Sequence, residues 1–383
     1  MEWKEVRLGD VCTRVCSGGT PKSTNPSYYG GEIPWLNTKE IDFNRIYSTE
    51  KTITDSGLNN SSAKWIVPNT VTVAMYGATA GKSCIVKVPM TTNQACCNLT
   101  INDEVADYEF VYYTLKNDYT TLASLANGGA QQNLNAQIIK DYVLKMPSLA
   151  DQRRIASILS SLDRKIELNN KINADLEEMA QAIFKNWFVD FEPFKDGKFV
   201  DSELGMIPEG WKVGTLGELC NFKRGKNLLT KNAIDEGVPV VAGGLEPSCY
   251  HNVANTGAPV ITVSGSGANA GFMRMYHVPV WASDCSFIDI SCENFYFVYC
   301  FLKVNSKLLK HAQTGAVQPH VKPSDIHDFE LLIPDKESIY DFQDKVKPFF
   351  DKIASIQKEN SRLSLLRDTL LPRLMSGEIE VPE

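Results

Sequence analysis

Residues 155–187, IASILSSLDRKIELNNKINADLEEMAQAIFKNW, form a ladder of helical core positions that returns at residues 342–374, FQDKVKPFFDKIASIQKENSRLSLLRDTLLPRL. The two ladders keep one register, offset by 187 residues. Their core positions alternate between spacings of four and three, which predicts a helix with a narrow coiled-coil seam. The first ladder runs through Ile155, Leu159, Leu162, Ile166, Asn169, Asn173, Leu176, Ala180, Ile183 and Trp187, and the second through Phe342, Val346, Phe349, Ile353, Ile356, Asn360, Leu363, Arg367, Leu370 and Leu374.

The two predicted helices are expected to pair with each other. Asp151 stands where an N-cap would, ahead of a helix that continues to about Trp187. A helix of about 37 residues is on the order of 55 Å long, and alone it would be unstable in water. Antiparallel pairing within the chain gives a pseudo-two-fold and sends the flanking globules to opposite ends. Asn173 and Asn360 are equivalent seam positions, which either fix the register as buried asparagines or lie at a solvated edge. The seam is assigned to Leu162, Ile166, Asn173, Leu176, Phe349, Ile353, Asn360 and Leu363.

The segments outside the helices also repeat, but with changing offsets. Trp3, Leu8, Gly9 and Cys12 recur 208 residues later as Trp211, Leu216, Gly217 and Cys220, whereas residues 77–81 recur 190 residues later as residues 267–271. Short β-branched runs punctuated by Gly, Pro and Asn predict strand-rich globules, with a helix over residues 110–125. Insertions and deletions therefore fall inside the globules.

These patterns predict an α+β chain of two mixed α/β globules and two long helices that pair as an antiparallel coiled coil, with a pseudo-two-fold internal repeat. Residues 1–150 form the first globule, and residues 151–195 form the central spacer helix and the start of a linker. Residues 196–335 form the second globule, and residues 336–383 form the C-terminal spacer helix.

Composition limits the class of protein. The chain has 383 residues and a formal net charge of −7, which counts against a free-standing, non-specific binder of polyanions. Its ten cysteines lie in apolar or adjacent positions typical of free buried thiols, and neither they nor the five histidines have the spacing of metal ligands. No metal site is expected. Without a signal-peptide or membrane-spanning pattern, the expected location is the cytoplasm.

Three stretches resemble catalytic motifs but depart from them. Residues 77–83, GATAGKS, have three residues between the glycines where a phosphate-binding loop needs four. Residues 25–28, NPSY, resemble the NPPY of amino-methyltransferases, but no glycine-rich turn for a methyl donor precedes them. Residues 264–267, SGSG, lack the order of a nucleophile elbow. No catalytic residue is therefore assigned.

Polar glycine-containing loops remain as a candidate reading surface. Amide side chains pair bidentately with adenine, and Arg and Lys pair with guanine. For any single residue, ordinary surface polarity remains the simpler explanation. The candidate DNA-binding residues are Ser17, Thr20, Lys22, Thr79, Lys82, Gln131, Gln132 and Asn133 in the first globule, and Lys223, Arg224, Lys226, Ser266, Asn269, Gln318 and His320 in the second.

An ordered set of short motifs resembles the specificity (S) subunits of type I restriction–modification systems. GGTP at 18–21, YGGEIPW at 29–35, GATAGK at 77–82, TNQ at 92–94 and QNLN at 132–135 are similar to that family's first target-recognition domain. LADQRRI at 149–155 and LDRKI at 162–166 resemble its central helix, and WFVDFEPF at 187–194 with IPEGW at 207–211 resembles its linker. LLPRLMSG at 370–377 resembles its closing helix. The resemblance covers essentially the whole chain.

The resemblance implies a non-catalytic, sequence-specific subunit that binds double-stranded DNA. Each globule would read one half of a bipartite asymmetric site, and the paired helices would set the gap. The implied partners are two adenine-N6 methyltransferase (M) subunits and endonuclease/translocase (R) subunits. This chain would hold no cofactor, whereas its partners would use S-adenosylmethionine, ATP and Mg²⁺. Trp35 falls opposite Val240 and Lys82 opposite Phe272, so different loop residues are expected to read different bases.

Two alternatives remain open from the sequence. One is a fused methyltransferase or nuclease, which the missing cofactor and metal motifs oppose. The other is a coiled-coil protein adaptor that never contacts DNA, which the acidic pI near 5.4 allows. Sequence-selective binding to DNA in the presence of the methyltransferase subunits would distinguish the reading subunit from the adaptor.

Overall fold

A computed structural model describes residues 2–126, 133–313 and 319–381. The chain divides into two compact units. Unit 1 comprises Met1–Glu167 and Asn360–Glu383, and unit 2 comprises Leu168–Glu359. Each unit contains a mixed α/β globule and segments of two long helices. The predicted fold class is therefore confirmed at the level of mixed α/β structure with long helices, whereas the four-segment division of the sequence stays a prediction.

The first globule, as far as the structure describes it, contains strands and short helices in a mixed order. In chain order these are β1 (Lys4–Arg7), β2 (Cys12–Ser17), β3 (Tyr29–Leu36), β4 (Arg45–Ile46), β5 (Thr52–Ile53), α1 (Asp55–Asn59), β6 (Trp65–Ile66), β7 (Val71–Ala74), β8 (Ser83–Val86), β9 (Met90–Thr92), β10 (Cys96–Ile101), α2 (Tyr108–Asn117), α3 (Tyr119–Ser124), α4 (Ala136–Asp141) and β11 (Val143–Met146). A long helix, α5 (Leu149–Phe188), follows.

The second globule repeats this plan. Its described elements are β12 (Phe199–Ser202), β13 (Gly205–Pro208), β14 (Lys212–Thr215), β15 (Lys223–Arg224), β16 (Val238–Val241), β17 (Cys249–His251), β18 (Val260–Ser264), β19 (Met273–Tyr276), β20 (Trp281–Ala282), β21 (Cys285–Asp289), α6 (Phe295–Val304), α7 (Ser306–His311), α8 (Pro323–His327) and β22 (Glu330–Ile333). The second long helix is α9 (Lys336–Met375), which continues through Pro348 and Pro372.

The central sheets have matching strand orders. In unit 1 the order is β2-β10-β7-β8-β4, and in unit 2 it is β15-β21-β18-β19. Strand β7 is buried on both faces, so it reads as the apolar run VTVA rather than as an alternating strand. Val71 and Val73 pack with Phe110 of α2 in one core, whereas Ala74 belongs to a second core with Leu36. The alternation follows from the two-residue period of a strand.

The helix predicted over residues 110–125 is two helices. Helix α2 ends at Asn117 and α3 starts at Tyr119, with Asp118 between them at φ −90° and ψ 12°. The Asp118 carboxylate accepts hydrogen bonds from Tyr142 Oη at 3.1 Å and from Asn117 Nδ2 at 2.9 Å. These contacts hold the chain in a turn that the apolar pattern alone does not reveal.

Both long helices start with a side-chain cap. The prediction that Asp151 is the N-cap of α5 is wrong by one turn, because α5 begins at Leu149 and Ser148 Oγ accepts the hydrogen bond of the Asp151 amide at 3.2 Å. At the equivalent position of α9, Asp335 Oδ1 accepts from the Ser338 amide at 2.9 Å. The pair Ser148 and Asp151 therefore returns 187 residues later with its residue types exchanged.

Within unit 2, α5 and α9 run antiparallel. Asn169 Nδ2 donates to Glu359 Oε2 at 2.9 Å, and further along α5 the ring of Phe184 packs on Phe342 with centroids 5.7 Å apart. The residue number on α9 falls as that on α5 rises. Within unit 1, Arg367 Nη1 of α9 contacts Asp163 Oδ1 of α5 at 2.6 Å.

The assigned seam residues differ in burial. Ile353 is buried, and the others are half-buried: Leu162, Ile166, Asn173, Leu176, Phe349, Asn360 and Leu363. The Oδ1 atom of Asn173 is buried without a hydrogen-bond partner among the described residues. The core of unit 2 gathers around aromatic rings of α5, α6 and α9, namely Phe184, Phe188, Phe297 and Phe342.

Candidate nucleic-acid interface

Three loops leave the same edge of the central sheet in unit 1. The registers place the end of β2 at Ser17 beside Cys97, the start of β10 at Cys96 beside Ala74, and Val73 beside the start of β8 at Ser83. The loops that follow β2 and β7 and the loop that precedes β10 therefore meet at one edge. In unit 2 the registers Arg224 with Ser286 and Ser264 with Cys285 build the same edge.

The glycine-rich loop after β7 is a tight backbone turn that both units share. Gly77 and Gly81 have φ of 74° and 86°, and Gly267 and Gly271 have φ of 79° and 77°, values that favour glycine. In unit 1 the amide of Ala80 donates to Gly77 O, and in unit 2 the amide of Ala270 donates to Gly267 O, both at 3.0 Å. Lys82 does not cradle an anion in this loop, because its Nζ contacts Asp42 Oδ1 at 2.6 Å.

A third loop is pinned to the second by a single bridge in each unit. Asn133 bridges to Tyr76, and His320 bridges to Ser266. The next residues repeat the contact, with the Leu134 amide on Met75 O at 2.8 Å and the Val321 amide on Gly265 O at 3.1 Å. Asn133 and His320 are both exposed at this edge. The candidates Gln131, Gln132 and Gln318 lie outside the described residues.

The loop after the first strand of each sheet lies against the neighbouring backbone. A Cβ on Gly18 would clash with Thr92 O and Asn93 O, and one on Gly225 would clash with Ser283 O. Only glycine allows this approach. It leaves Ser17, Thr20 and Lys22 exposed in unit 1, and Lys223, Arg224 and Lys226 exposed in unit 2.

A tryptophan supports this loop in each unit, but from different strands. In unit 1, Trp35 Nε1 of β3 donates to Gly19 O at 2.9 Å. In unit 2, Trp281 Nε1 of β20 donates at 2.8 Å to Lys226 O, the equivalent carbonyl. Trp281 pairs with Val240, the residue opposite Trp35 in the repeat. The indole has therefore moved to the partner strand, which an alignment of the two halves alone does not show.

The structure adds residues that sequence reasoning missed. Tyr76 is 41% exposed beside Asn133, where unit 2 has Ser266. Asp284 contacts both Arg224 and the Ser266 hydroxyl. The offset of 190 residues already placed Tyr76 opposite Ser266, so an aromatic side chain next to a glycine loop was the available signal. Thr79 and Asn269 are half-buried, and Asn269 Nδ2 donates to Gly243 O at 3.3 Å.

The thiols beneath the two edges are protonated at neutral pH. Burial raises the pKa of Cys97 in β10 and the pKa of Cys285 in β21 to about 12 each. All ten cysteines are free. In the described part of the chain, no three His, Cys, Asp or Glu side chains are grouped as a metal site would require. Across residues 2–126, 133–313 and 319–381, no helix is long and apolar enough to cross a membrane.

Two edges of one construction with different side chains are the arrangement of a modular recognition protein. The family model described as the type I restriction modification DNA specificity domain matches residues 1–178 and 208–364. The chain belongs to this family. The resemblance seen in the sequence is thereby confirmed, as is the predicted role in DNA recognition.

Individual relatives agree with the family model. The type I restriction enzyme MjaIX specificity subunit of Methanocaldococcus jannaschii is 31% identical, with 100% of this chain and 94% of the relative covered. The HindI specificity subunit of Haemophilus influenzae is 25% identical, with 99% and 100% covered. The crystal structure of a type I restriction–modification S subunit from M. genitalium matches with a TM-score of 0.61 at 20% identity, over 100% of this chain and 97% of that chain, and it shows the likeness of fold.

Proposed function

We propose that this chain is the DNA-reading subunit of a type I restriction–modification complex and that each unit reads one half of a bipartite site. The observation that carries this proposal is the shared edge of the central sheets. Both edges use the same glycine turn and the same bridge between loops, at Tyr76 with Asn133 and at Ser266 with His320. A common backbone with different side chains is what reading two different half-sites requires, because base edges are distinguished by side-chain donors and acceptors.

The long helices are the proposed spacer. An antiparallel coiled coil of α5 and α9 along their whole length would join the pairing contacts of unit 2, such as Asn169 with Glu359, to those of unit 1, such as Asp163 with Arg367. Each helix has 40 residues, which corresponds to about 60 Å. Since a turn of DNA measures roughly 34 Å, the half-sites would lie on the order of one and a half turns apart.

The partners are proposed to supply the chemistry. Two methyltransferase subunits would bind the long helices and use S-adenosylmethionine, and endonuclease subunits would use ATP and Mg²⁺. Large apolar side chains on the helices support a docking role, because Leu168 is 54% exposed and Leu365 is 71% exposed. The acidic chain also needs partners to neutralise DNA phosphates, since its net charge is −7.

Exchange of one recognition globule tests the modular proposal. The chain, or a hybrid whose residues 1–147 come from another specificity subunit, is expressed with the methyltransferase in a host without other adenine methylation. Sequencing of methylated adenines should reveal a bipartite motif, and the hybrid should change one half only. A change in both halves would contradict the modular reading. Equal binding to all DNA by the purified assembly would favour the adaptor instead.

A further inference from the structure

One arginine at the edge of unit 2 is held in a fixed orientation. Arg224 Nη2 donates to Asp284 Oδ1, and Ser266 Oγ donates to Asp284 Oδ2. A single carboxylate therefore fixes side chains from two loops, and both of its oxygens are used within the protein. The amide of Gly265 also donates to the Asp284 carbonyl at 3.1 Å, which fixes the backbone beneath the carboxylate.

The guanidinium lies over backbone that only glycine permits. A Cβ at Gly265 would clash with Arg224 Nη1. The Arg224 side chain is nevertheless 46% exposed, compared with 30% for Asp284. It borders an open cleft of about 440 Å³ that Gly265, His320 and Lys322 also line. Arginine has five N–H donors in a planar fork, so a fork fixed from behind still presents donors towards the cleft.

Unit 1 has no counterpart of this arrangement. The Gly18 amide on Cys96 O and the Gly225 amide on Cys285 O make Ser17 the equivalent of Arg224. The Met75 amide donates to Ala95 O, just as the Gly265 amide donates to Asp284 O, so Ala95 is the equivalent of Asp284. An arginine and its carboxylate therefore occur together at this edge of unit 2, where unit 1 has a serine and an alanine.

We propose that Arg224 reads a guanine in the half-site bound by unit 2 and that Asp284 is the residue that positions it. This inference rests on the proposed function. The guanine edge offers two adjacent acceptors, O6 and N7, which match a guanidinium fork. The Asp284 carboxylate offsets the charge of Arg224 and would repel a phosphate, but it does not penalise a neutral base edge. The site is therefore suited to a base and poorly suited to the DNA backbone.

The test starts with the DNA sequence that the full chain selects, in complex with its methyltransferase partner, from a random duplex pool. Each guanine of the second half-site is then replaced in turn by 7-deazaguanine, which lacks the N7 acceptor. At one position, wild-type binding should fall by about 5-fold to 150-fold. The Arg224→Gln variant should bind the unmodified duplex more weakly by a similar factor, and it should be insensitive to 7-deazaguanine at that position.

Two further variants separate this role from a phosphate contact and from misfolding. Arg224→Lys keeps the charge without the fork, so it should lose discrimination at the same base pair. Asp284→Asn should broaden specificity there, and the double variant Asp284→Asn/Arg224→Gln should be no worse than Arg224→Gln alone. Lys223→Gln removes the neighbouring charge and should weaken binding uniformly, while selecting the same sequence as the wild type. Such selection also shows that a charge change at this edge leaves unit 2 folded.

Each contrary outcome has a distinct meaning. If the wild-type complex selects no sequence, the proposed function fails together with this inference. If the wild type selects a sequence and Arg224→Gln selects the same one, the assignment of guanine is overturned while the reading function stands. A uniform loss of affinity with a smaller dependence on salt would identify a phosphate contact and also overturn it. Equal specificity of Asp284→Asn and the wild type would overturn the positioning role.

Discussion

Arg45 shows how strongly one residue ties the first globule to the helices of its own unit. Its side chain is 3% exposed and contacts Glu109 Oε1 at 3.2 Å and Glu167 Oε1 at 2.9 Å. Burial and the adjacent Asp163 carboxylate raise the pKa of Tyr113, so its hydroxyl stays protonated and donates to Asp163 Oδ2 at 2.6 Å. The network joins β4 and α2 to α5 through charges that are shielded from water.

Removal of this arginine should destabilise unit 1. Arg45→Met leaves the buried carboxylates of Glu109 and Asp163 without their shared cation, and we expect a loss of about 3–5 kcal/mol in the free energy of unfolding. Urea denaturation at neutral pH measures it. The control is Arg7→Met, since Arg7 and Asp141 form a pair 3.7 Å apart with side chains 66% and 50% exposed. That pair should contribute less than about 1 kcal/mol. Equal losses for the two variants would contradict the buried network.

At the scale of elements, the cap of α9 gives a prediction with a defined pH dependence. Burial alone would raise the pKa of Asp335, but hydrogen bonds from Ser338 and from Trp211 Nε1 outweigh it and lower the pKa below its ordinary value. A carboxyl whose pKa is lowered by folding stabilises the fold above its unfolded pKa, about 3.9. That contribution disappears as the pH falls through the lower folded value.

Asp335→Ala should therefore reduce stability by about 1 kcal/mol at neutral pH, and the difference from the wild type should shrink below about pH 4. Asp335→Asn is the matched variant, because its amide oxygen still caps the Ser338 N–H without the charge. We expect an intermediate loss with a weaker dependence on pH. Thermal unfolding at pH 7 and at pH 3 provides the comparison. A loss from Asp335→Ala that is the same at both pH values would rule out a role for the charge.

The elements that sequence could predict are those encoded by local periodicity. Both ladders became helices, because a 3.6-residue period is visible in any short window. The break at Asp118 was missed, since it depends on Tyr142 from another segment. The move of the supporting indole from Trp35 to Trp281 was missed for a similar reason, because it depends on which strands pair. Asp284 could not be singled out, since its contacts to Arg224 and Ser266 arise only when three separate loops meet.

At the scale of the whole molecule, the constant offset of the helices and the changing offsets of the globules point to different constraints. Insertions are tolerated around the reading edges, where Ser17 and Ala95 correspond to Arg224 and Asp284. They are absent between the equivalent ladders at residues 155–187 and 342–374. A paired spacer has this property, because an unmatched insertion in one helix would shift every contact beyond it.

A matched insertion should therefore lengthen the proposed spacer without changing what is read. One heptad is inserted between Lys171 and Ile172 of α5 and one between Gln357 and Lys358 of α9, positions close to the facing pair Asn169 and Glu359. Seven residues add about 10 Å to each helix and rotate its seam by only about 20°. Since base pairs are about 3.4 Å apart, the gap should grow by about three base pairs. Mapping of methylated adenines should show both half-sites unchanged, and an insertion in α5 alone should lose methylation through mispairing. An unchanged gap with the matched insertion would mean that the helices do not set the distance between the half-sites.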